Sequence, residues 1–358
     1  MKKSYCKLVS SFVLIITALL LCTAYAGEGS ITAKVWFRIG HYLVNKKQYD
    51  NAIGAYNKAI ELDNKYTIAY YERGFVYFVK YQYDVAITDY SKAIEFDPKY
   101  KEACLARGIA HSYKDQYDLA IADYNKAIEL DPKNGYAYYE RGDAYSAKGQ
   151  YDVAIIDYNK AIELDPKDKE IYYRRGKAYF TKRQYDVAII DYNKVIELDP
   201  KYEIAYYDRG KVYFAQGQYD VAIADYTKAI ELDPKYKNAY LGRGKAYSAK
   251  SQYDVAIADF NKVIELNPKY ENAYFYRAIA YRSIGQYDVA IADYTKAIEI
   301  DSKYAEAYYN KAIIYEETGN NSEAIKAYNL YIQYASSATD NSYVETAKQK
   351  IIKLGSTI

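Results

Sequence analysis

The sequence predicts an all-α solenoid of nine helix-turn-helix repeats, each about 34 residues long, followed by a C-terminal capping helix. Apolar and small residues recur at helical spacing inside each unit. The six prolines of the chain all occupy one slot of the repeat, at Pro98, Pro132, Pro166, Pro200, Pro234 and Pro268. The tripeptide Gln-Tyr-Asp recurs at one constant interval, beginning at Gln48, Gln82, Gln116, Gln150, Gln184, Gln218, Gln252 and Gln286.

The first 26 residues are typical of a secretory signal peptide. Three lysines precede an apolar stretch, and residues 24–26 form an A-x-A cleavage pattern. The alternative is an uncleaved membrane anchor, because residues 8–26 would just span a bilayer. We therefore expect an exported protein, periplasmic or secreted, with no stable membrane span once the signal is removed.

The charge of the mature chain gives no general attraction for nucleic acid. The signal holds three of the 49 basic residues and none of the 47 acidic ones, so cleavage leaves 46 basic against 47 acidic residues. A strongly basic face is the usual electrostatic mark of nucleic-acid binding. We expect no nucleic-acid partner.

The array follows a short lead-in of residues 27–32 and occupies residues 33–338. Its units are predicted to start at residues 33, 67, 101, 135, 169, 203, 237, 271 and 305. Residues 339–358 are predicted to form a capping helix and tail, because Val344, Ala347, Ile351 and Leu354 recur at helical spacing. Such a helix covers the open apolar face of the last repeat.

Residues 135–168 show how one unit is built. Tyr138, Gly142 and Tyr145 lie on one face of a first helix, and a wider apolar stripe runs through residues 151–162 on a second. Pro166 ends the second helix, since proline lacks an amide donor. Glycine in the slot of Gly142 and alanine in the slot of Ala154 predict close approach of the two helices.

This pattern resembles the tetratricopeptide repeat (TPR) in its bacterial form. The residues that carry the resemblance in this unit are Tyr138, Arg141, Gly142, Tyr145, Ala154, Tyr158, Ala161 and Pro166. The resemblance covers all nine units. It implies a right-handed superhelix whose concave groove, lined by the first helices, binds proteins or peptides.

One slot departs from the family pattern, since the usual leucine is arginine in seven units. Each arginine is followed at a constant spacing by an aspartate, as in Arg141 and Asp157, and the first and last units lack both residues. We expect a structural pair between the two helices of each repeat. A repeated anion-binding site is the alternative.

Chemistry that would indicate an enzyme is missing from the sequence. It contains no C-x-x-C, H-E-x-x-H, P-loop, G-x-G-x-x-G or G-x-S-x-G motif, and it has only two histidines. Cys104, the one cysteine left after signal cleavage, occupies an apolar slot and is expected to be buried and inert. We predict a protein without catalytic activity, cofactor or metal.

By the resemblance, a partner is expected to contact the first-helix slots that line the groove, here those of Tyr136, Tyr139, Glu140, Asp143 and Ser146. The slot of Tyr139 holds an aromatic residue or leucine in every unit, and the slot of Asp143 holds lysine in three successive units. Rings and lysines together would suit an extended segment with acidic residues. The candidate groove residues are Tyr71, Phe75, Phe78, Tyr139, Asp143, Tyr173, Lys177, Tyr207, Lys211 and Lys245.

Three alternatives remain open from the sequence. The rings in the slot of Tyr139 would equally serve as packing between repeats. The fifth unit would bind acidic glycans or nucleic acid through Lys169, Arg174, Arg175, Lys177, Lys182 and Arg183. A self-assembling array is the third, although the final helix argues against it and we expect a monomer.

Overall fold

The computed structural model describes residues 32–335 and 341–355, and within these it contains nineteen α-helices and no strand. The predicted all-α solenoid with a C-terminal helix is therefore confirmed. The predicted signal segment, residues 1–26, lies outside the described residues. The helices alternate along the chain, with the first helix of each repeat odd-numbered and the second even-numbered.

The described chain divides after Ala178 into two compact units. The first unit contains eight complete helices and the start of the ninth. Their bounds are α1 Ala33–Asn45, α2 Tyr49–Leu62, α3 Thr67–Val79, α4 Tyr83–Phe96, α5 Lys101–Ser112, α6 Tyr117–Leu130, α7 Gly135–Ala147, α8 Tyr151–Leu164 and α9 Lys169–Thr181.

The second unit begins at Tyr179 with the last residues of α9. Its remaining helices are α10 Tyr185–Leu198, α11 Glu203–Ala215, α12 Tyr219–Leu232, α13 Lys237–Ala249, α14 Tyr253–Leu266, α15 Glu271–Ser283, α16 Tyr287–Ile300, α17 Ala305–Glu317, α18 Asn321–Tyr334 and α19 Asn341–Lys353. Within each compact unit, the first helix of a repeat packs on the second helix of the same repeat. That second helix packs in turn on the first helix of the next repeat.

The centre of each repeat is an aromatic ring from the second helix that lies against a glycine of the first. Tyr158 is 1% exposed, and a Cβ atom built on Gly142 would lie 2.7 Å from its ring. The same hypothetical atom would lie 3.3 Å from the backbone oxygen of Ala154. Glycine is therefore required at this position because a larger residue would clash with the tyrosine ring. It also allows the close approach of the two helices that the sequence predicted.

Two kinds of turn connect the helices. The turn inside each repeat contains a residue with positive φ, which is glycine in some repeats (Gly149, φ 74°) and a non-glycine residue in others (Ser251, φ 59°). The turn between repeats begins at an aspartate, or at Asn267 in one case, whose side chain accepts a hydrogen bond from the backbone two residues later, as Asp165 does from Lys167 at 3.1 Å. These carboxylates stabilise the turns between repeats.

The predicted arginine–aspartate pairs connect the two helices of six repeats. Nε and Nη2 of the arginine donate to both carboxylate oxygens of the aspartate, at 2.6–2.9 Å. Six pairs have this geometry: Arg73–Asp89, Arg107–Asp123, Arg141–Asp157, Arg209–Asp225, Arg243–Asp259 and Arg277–Asp293. The structural interpretation of these residues is confirmed.

A third contact extends from each guanidinium to the preceding repeat. Nη1 donates to a polar side chain of the preceding second helix, as from Arg141 to Asn125 and from Arg175 to Asn159, at 2.5 and 2.6 Å. One side chain therefore bonds two successive second helices. Burial raises the pKa of the Asp89 carboxyl even though Arg73 lowers it, so desolvation of the pair is costly.

Both ends of the array bury apolar side chains. Trp36 and Phe37 pack against a cluster in the first repeat that contains Leu43 and Tyr56. At the other end, Ala347 and Ile351 of α19 are buried in the same cluster as Tyr331 of α18. The final helix thus covers apolar surface of the last repeat.

We predict that Arg141→Met lowers the free energy of unfolding by about 3 kcal/mol, because it leaves the carboxylate of Asp157 buried without a counterion. The double variant Arg141→Met/Asp157→Leu is expected to recover most of that loss. Chemical denaturation followed by circular dichroism measures both effects. Lys160→Met is the matched control, since its pair with Glu163 is exposed, and it should change stability by less than about 0.5 kcal/mol. Equal losses in the single and double variants would contradict the structural role.

Candidate functional site

The first helices carry slots whose residue type changes from repeat to repeat on an otherwise constant framework. The slots of Tyr136, Tyr139, Glu140, Asp143 and Ser146 belong to this group. The slot of Glu140 varies most in charge, and reads Arg38, Glu72, Ala106, Glu140, Arg174, Asp208, Gly242, Tyr276 and Asn310. Side chains from these slots line two clefts, one in each unit.

The first cleft lies wholly within the first unit and has a volume of about 690 Å³. First-helix residues from α3, α5, α7 and α9 line it, so it extends over four successive repeats. Its aromatic lining consists of Phe78, Tyr113, Tyr117, Tyr136, Tyr139 and Tyr158. A cleft of this size and composition is typical of sites that hold several side chains of a ligand.

A polar network centred on Asp143 forms one wall of the first cleft. The Tyr158 hydroxyl donates to Oδ1 of Asp143 at 2.6 Å, and Nε of Arg174 lies 3.5 Å from Oδ2. Arg174 also donates to the Tyr139 hydroxyl at 3.3 Å. Burial raises the pKa of Asp143, while Arg174 and the hydroxyls of Tyr158 and Tyr139 lower it. Asp143 therefore has its own counterion and donors.

Glu140, one turn before Asp143, has a different environment. Its carboxylate is near the Tyr136 hydroxyl, which favours the ionised form. Burial raises the pKa of Glu140, and the nearby charge of Asp143 raises it further, whereas Tyr136 and Arg174 lower it. Within the described parts of the chain, no basic side chain lies within ion-pair distance of this carboxylate.

The first cleft lies where an aromatic pattern is interrupted. In several repeats the ring in the slot of Tyr139 packs against a tyrosine that is the last residue of the same repeat. The ring centroids are 5.0–5.4 Å apart in Phe37–Tyr66, Tyr71–Tyr100, Tyr207–Tyr236 and Phe275–Tyr304. The last residues of the third and fourth repeats are instead Asn134 and Asp168. Without such a ring, Tyr139 stacks instead on Tyr136, at 5.9 Å.

The second cleft lies in the second unit and has a volume of about 180 Å³. Lys211 and Lys245 line it together with Phe214 and Leu241. The ammonium of Lys245 lies 4.6 Å from the ring centre of Tyr276, and it has no carboxylate partner among the described residues. Lys211 donates to Asp208 at 2.8 Å. This cleft is smaller than the first and is lined by two cations.

The structure brings together most, but not all, of the predicted groove residues. The first cleft contains Phe78, Tyr139, Asp143 and Lys177, and the second contains Tyr207, Lys211 and Lys245. Three predicted residues line neither cleft: Tyr71, Phe75 and Tyr173.

Each of these three residues has its own surroundings. Tyr71 packs against Tyr90 and Tyr100, Phe75 is 41% exposed, and Tyr173 has the ammonium of Lys177 over its ring at 5.6 Å. The ring of Tyr71 thus packs within the array. This is the packing role that the sequence analysis gave as the alternative for rings in the slot of Tyr139.

Three residues of the first cleft are absent from the candidate residues named from the sequence. The slots of Tyr136 and Glu140 were predicted to face the groove, although neither residue was singled out, and Arg174 was expected only as part of a basic cluster. The signal that would have found them is the loss of the unit-end tyrosine at Asn134 and Asp168.

Basic side chains of the fifth repeat contact other residues of the protein. Arg174 contacts Asp143 and Tyr139, and Arg175 donates to Asn159 while lying over the ring of Tyr172 at 5.6 Å. These contacts leave fewer free cations than the sequence suggested. Cys104 is buried as predicted, with 1% of its surface exposed, and burial raises the pKa of its thiol.

Comparison with known families identifies the repeats. A profile described as "TPR repeat" matches residues 40–80, 112–149, 142–182, 180–217, 210–251, 244–282 and 280–319. A second profile, described as "Tetratricopeptide repeat", matches residues 68–100 and 305–337. This chain belongs to the tetratricopeptide repeat family. TPR proteins are generally non-enzymatic scaffolds and commonly bind proteins or peptides.

Several solved structures are similar to this chain. The C-terminal part of a TPR repeat-containing protein from Cytophaga hutchinsonii is 25% identical, with 66% of this chain and 97% of that chain covered, at a TM-score of 0.58. A TPR protein from Parabacteroides merdae shares the fold at 22% identity, 71% and 98% coverage and a TM-score of 0.56. MamA is 34% identical, with 45% and 95% covered, at a TM-score of 0.44. No curated protein matches the chain.

The described residues offer neither a metal site nor a membrane span. They contain no cluster of His, Cys, Asp or Glu side chains arranged to hold a metal ion. None of the helices in residues 32–335 and 341–353 has the length and apolar character required to cross a membrane.

We predict that Glu140→Gln raises the midpoint of thermal unfolding at pH 8, and that the gain shrinks as the pH falls. Burial raises the pKa of Glu140, so its ionised form destabilises the folded state. This loss of folding free energy is fully present above the raised pKa. The loss disappears below the ordinary carboxyl pKa of about 4.3, where folded and unfolded states are both protonated. Thermal unfolding of both proteins at pH 4, 6 and 8 measures the difference. A gain that increases towards pH 4 would contradict the conclusion that burial raises the pKa of Glu140.

Proposed function

We propose that this chain is a non-enzymatic TPR scaffold that binds a protein or extended peptide along the faces of its first helices. The first cleft is the observation that supports this proposal most strongly. It offers about 690 Å³, a lining from four repeats with aromatic side chains from three of them, and partly buried charges that are costly to keep. Aromatic anchors in such clefts supply much of the affinity of protein interfaces.

The second cleft adds a site for acidic side chains. Lys245 lies between the rings of Phe214 and Tyr276, at 5.7 and 4.6 Å, and has no carboxylate partner in the described chain. A partner carboxylate at Lys245 would gain an ion pair beside an apolar wall. The predicted groove residues Tyr207, Lys211 and Lys245 thus keep their proposed role, as do Phe78, Tyr139, Asp143 and Lys177 in the first cleft.

Two other functions are less well supported. A site for acidic glycans or nucleic acid on the fifth repeat would need Arg174 and Arg175, which already bond Asp143 and Asn159. Self-assembly end to end would need an open last repeat, whereas α19 buries Ala347 and Ile351 there. A monomeric protein-binding scaffold is more consistent with these contacts.

Export is the second part of the proposal. The lysines, apolar stretch and A-x-A pattern of residues 1–26 support a cleaved signal and a periplasmic or secreted protein. An uncleaved membrane anchor remains the alternative localisation.

We predict that Tyr136→Ala weakens peptide binding about tenfold without loss of the fold. Tyr136 is 51% exposed and stacks on Tyr139 in the first cleft, so it contributes to binding surface and little to the core. Peptides selected from a random phage-displayed library would be titrated against the native and variant chains by calorimetry. Tyr42→Ala is the matched control, because Tyr42 is 47% exposed and lies outside the cleft.

The salt dependence of the same titration distinguishes a peptide site from a polyanion site. Binding that falls only weakly between 50 and 200 mM salt, on the order of threefold, would support the aromatic cleft. Selection of no peptide, together with tight and steeply salt-dependent binding of heparin or DNA, would contradict the proposal.

We predict that the chain found in the envelope or medium of the source cells begins at Gly27, the residue that follows the A-x-A pattern. Mass spectrometry of the intact protein measures the N-terminus directly. Recovery of a membrane-bound chain that still carries residues 1–26 would support the anchor instead.

A further inference from the structure

We propose that the first cleft receives a positively charged side chain of the partner, lysine or arginine, with the Glu140 carboxylate as its counterion. This inference rests on the proposed peptide binding and adds the chemistry of the bound segment. It differs from the expectation drawn from the sequence, in which lysines of this chain would receive acidic residues.

The charges of the cleft lining favour a cation beside Glu140. Asp143, the other carboxylate of the lining, already has Arg174 at 3.5 Å and the Tyr158 hydroxyl at 2.6 Å. Glu140 has the Tyr136 hydroxyl but no basic partner within ion-pair distance in the described chain. A bound ammonium or guanidinium would supply the counterion that this partly desolvated carboxylate lacks.

The cations of the lining do not fulfil that role. Arg174 is directed at Asp143 and Tyr139, and its influence lowers the pKa of Glu140 less than burial raises it. The ammonium of Lys177 lies over the ring of Tyr173. The position next to Glu140 and Tyr136 is therefore available to a charge from outside.

The aromatic side chains of the cleft suit the same ligand. Tyr136 is the only tyrosine in its slot along the nine units, and it stacks on Tyr139 at 5.9 Å and 23°. Faces of such rings attract ammonium and guanidinium groups. This protein already makes that contact repeatedly, as between Lys245 and Tyr276 at 4.6 Å.

Other ligand chemistries fit less well. An acidic side chain would meet the carboxylates of Glu140 and Asp143, and a purely apolar one would cover Glu140 without a counterion. The volume of about 690 Å³ is larger than one side chain, so neighbouring apolar residues of the same segment would fill the remainder against Phe78 and Tyr113.

The test uses four random decapeptide pools that differ only at one fixed central residue: lysine, arginine, norleucine or glutamate. The full mature chain is immobilised, exposed to an equimolar mixture of the pools, and the retained peptides are counted by mass spectrometry. We expect Glu140→Gln to lower retention of the lysine and arginine pools about tenfold and to cause no loss of the norleucine and glutamate pools. Glu163→Gln is the control, because Glu163 is exposed on α8 outside the cleft.

The outcomes separate this inference from the proposed function. Equal retention of all four pools by the native and Glu140→Gln chains would overturn the inference and leave peptide binding intact. A loss confined to the norleucine or glutamate pools would overturn it as well. Retention of no pool above blank resin would overturn both. As a second variant, Glu140→Lys is expected to shift retention from the lysine pool to the glutamate pool.

Discussion

The arginine guanidinium of each interior repeat is the contact on which the rest of the structure depends. Two of its nitrogens bond the aspartate of the same repeat, and the third bonds a polar side chain of the preceding second helix. One side chain thereby sets both the geometry within a repeat and the spacing between repeats. Because the carboxylates are buried, as Asp157 is at 3% exposure, desolvation offsets much of the energy gained. The pair therefore specifies the arrangement of helices more than it adds net stability.

Stability and recognition use different residues of the same helix. Gly142 and Arg141 hold the first helix against its neighbours, whereas Tyr136, Glu140 and Asp143 face the cleft. The two sets meet at the core tyrosine, because the Tyr158 ring packs on Gly142 and its hydroxyl bonds Asp143. The variable slots can therefore change without loss of the helical framework, as the sequence of the array itself illustrates.

The framework was predictable from sequence because it is repeated. Nine copies of one pattern revealed the period, the helices, the glycine slot and the arginine–aspartate pairs, each of which the structure shows. The clefts were less predictable because they depend on exceptions. Tyr139 was identified from its slot, but its neighbours Tyr136 and Glu140 occur in slots with no consistent chemistry. Their proximity to Arg174, one repeat further along, follows from side-chain positions across two repeats, which a periodic pattern does not specify.

The aromatic residues also give the array two separate optical signals. Trp36 is the only tryptophan of the chain and packs in the cluster of the first repeat. Tyrosine fills the buried ring position of the second helix in every repeat except the one that has Phe260. Tryptophan emission therefore reports on one end of the protein, while tyrosine absorbance reports on its whole length. A difference between the two during denaturation would show directly whether unfolding begins at the N-terminal end.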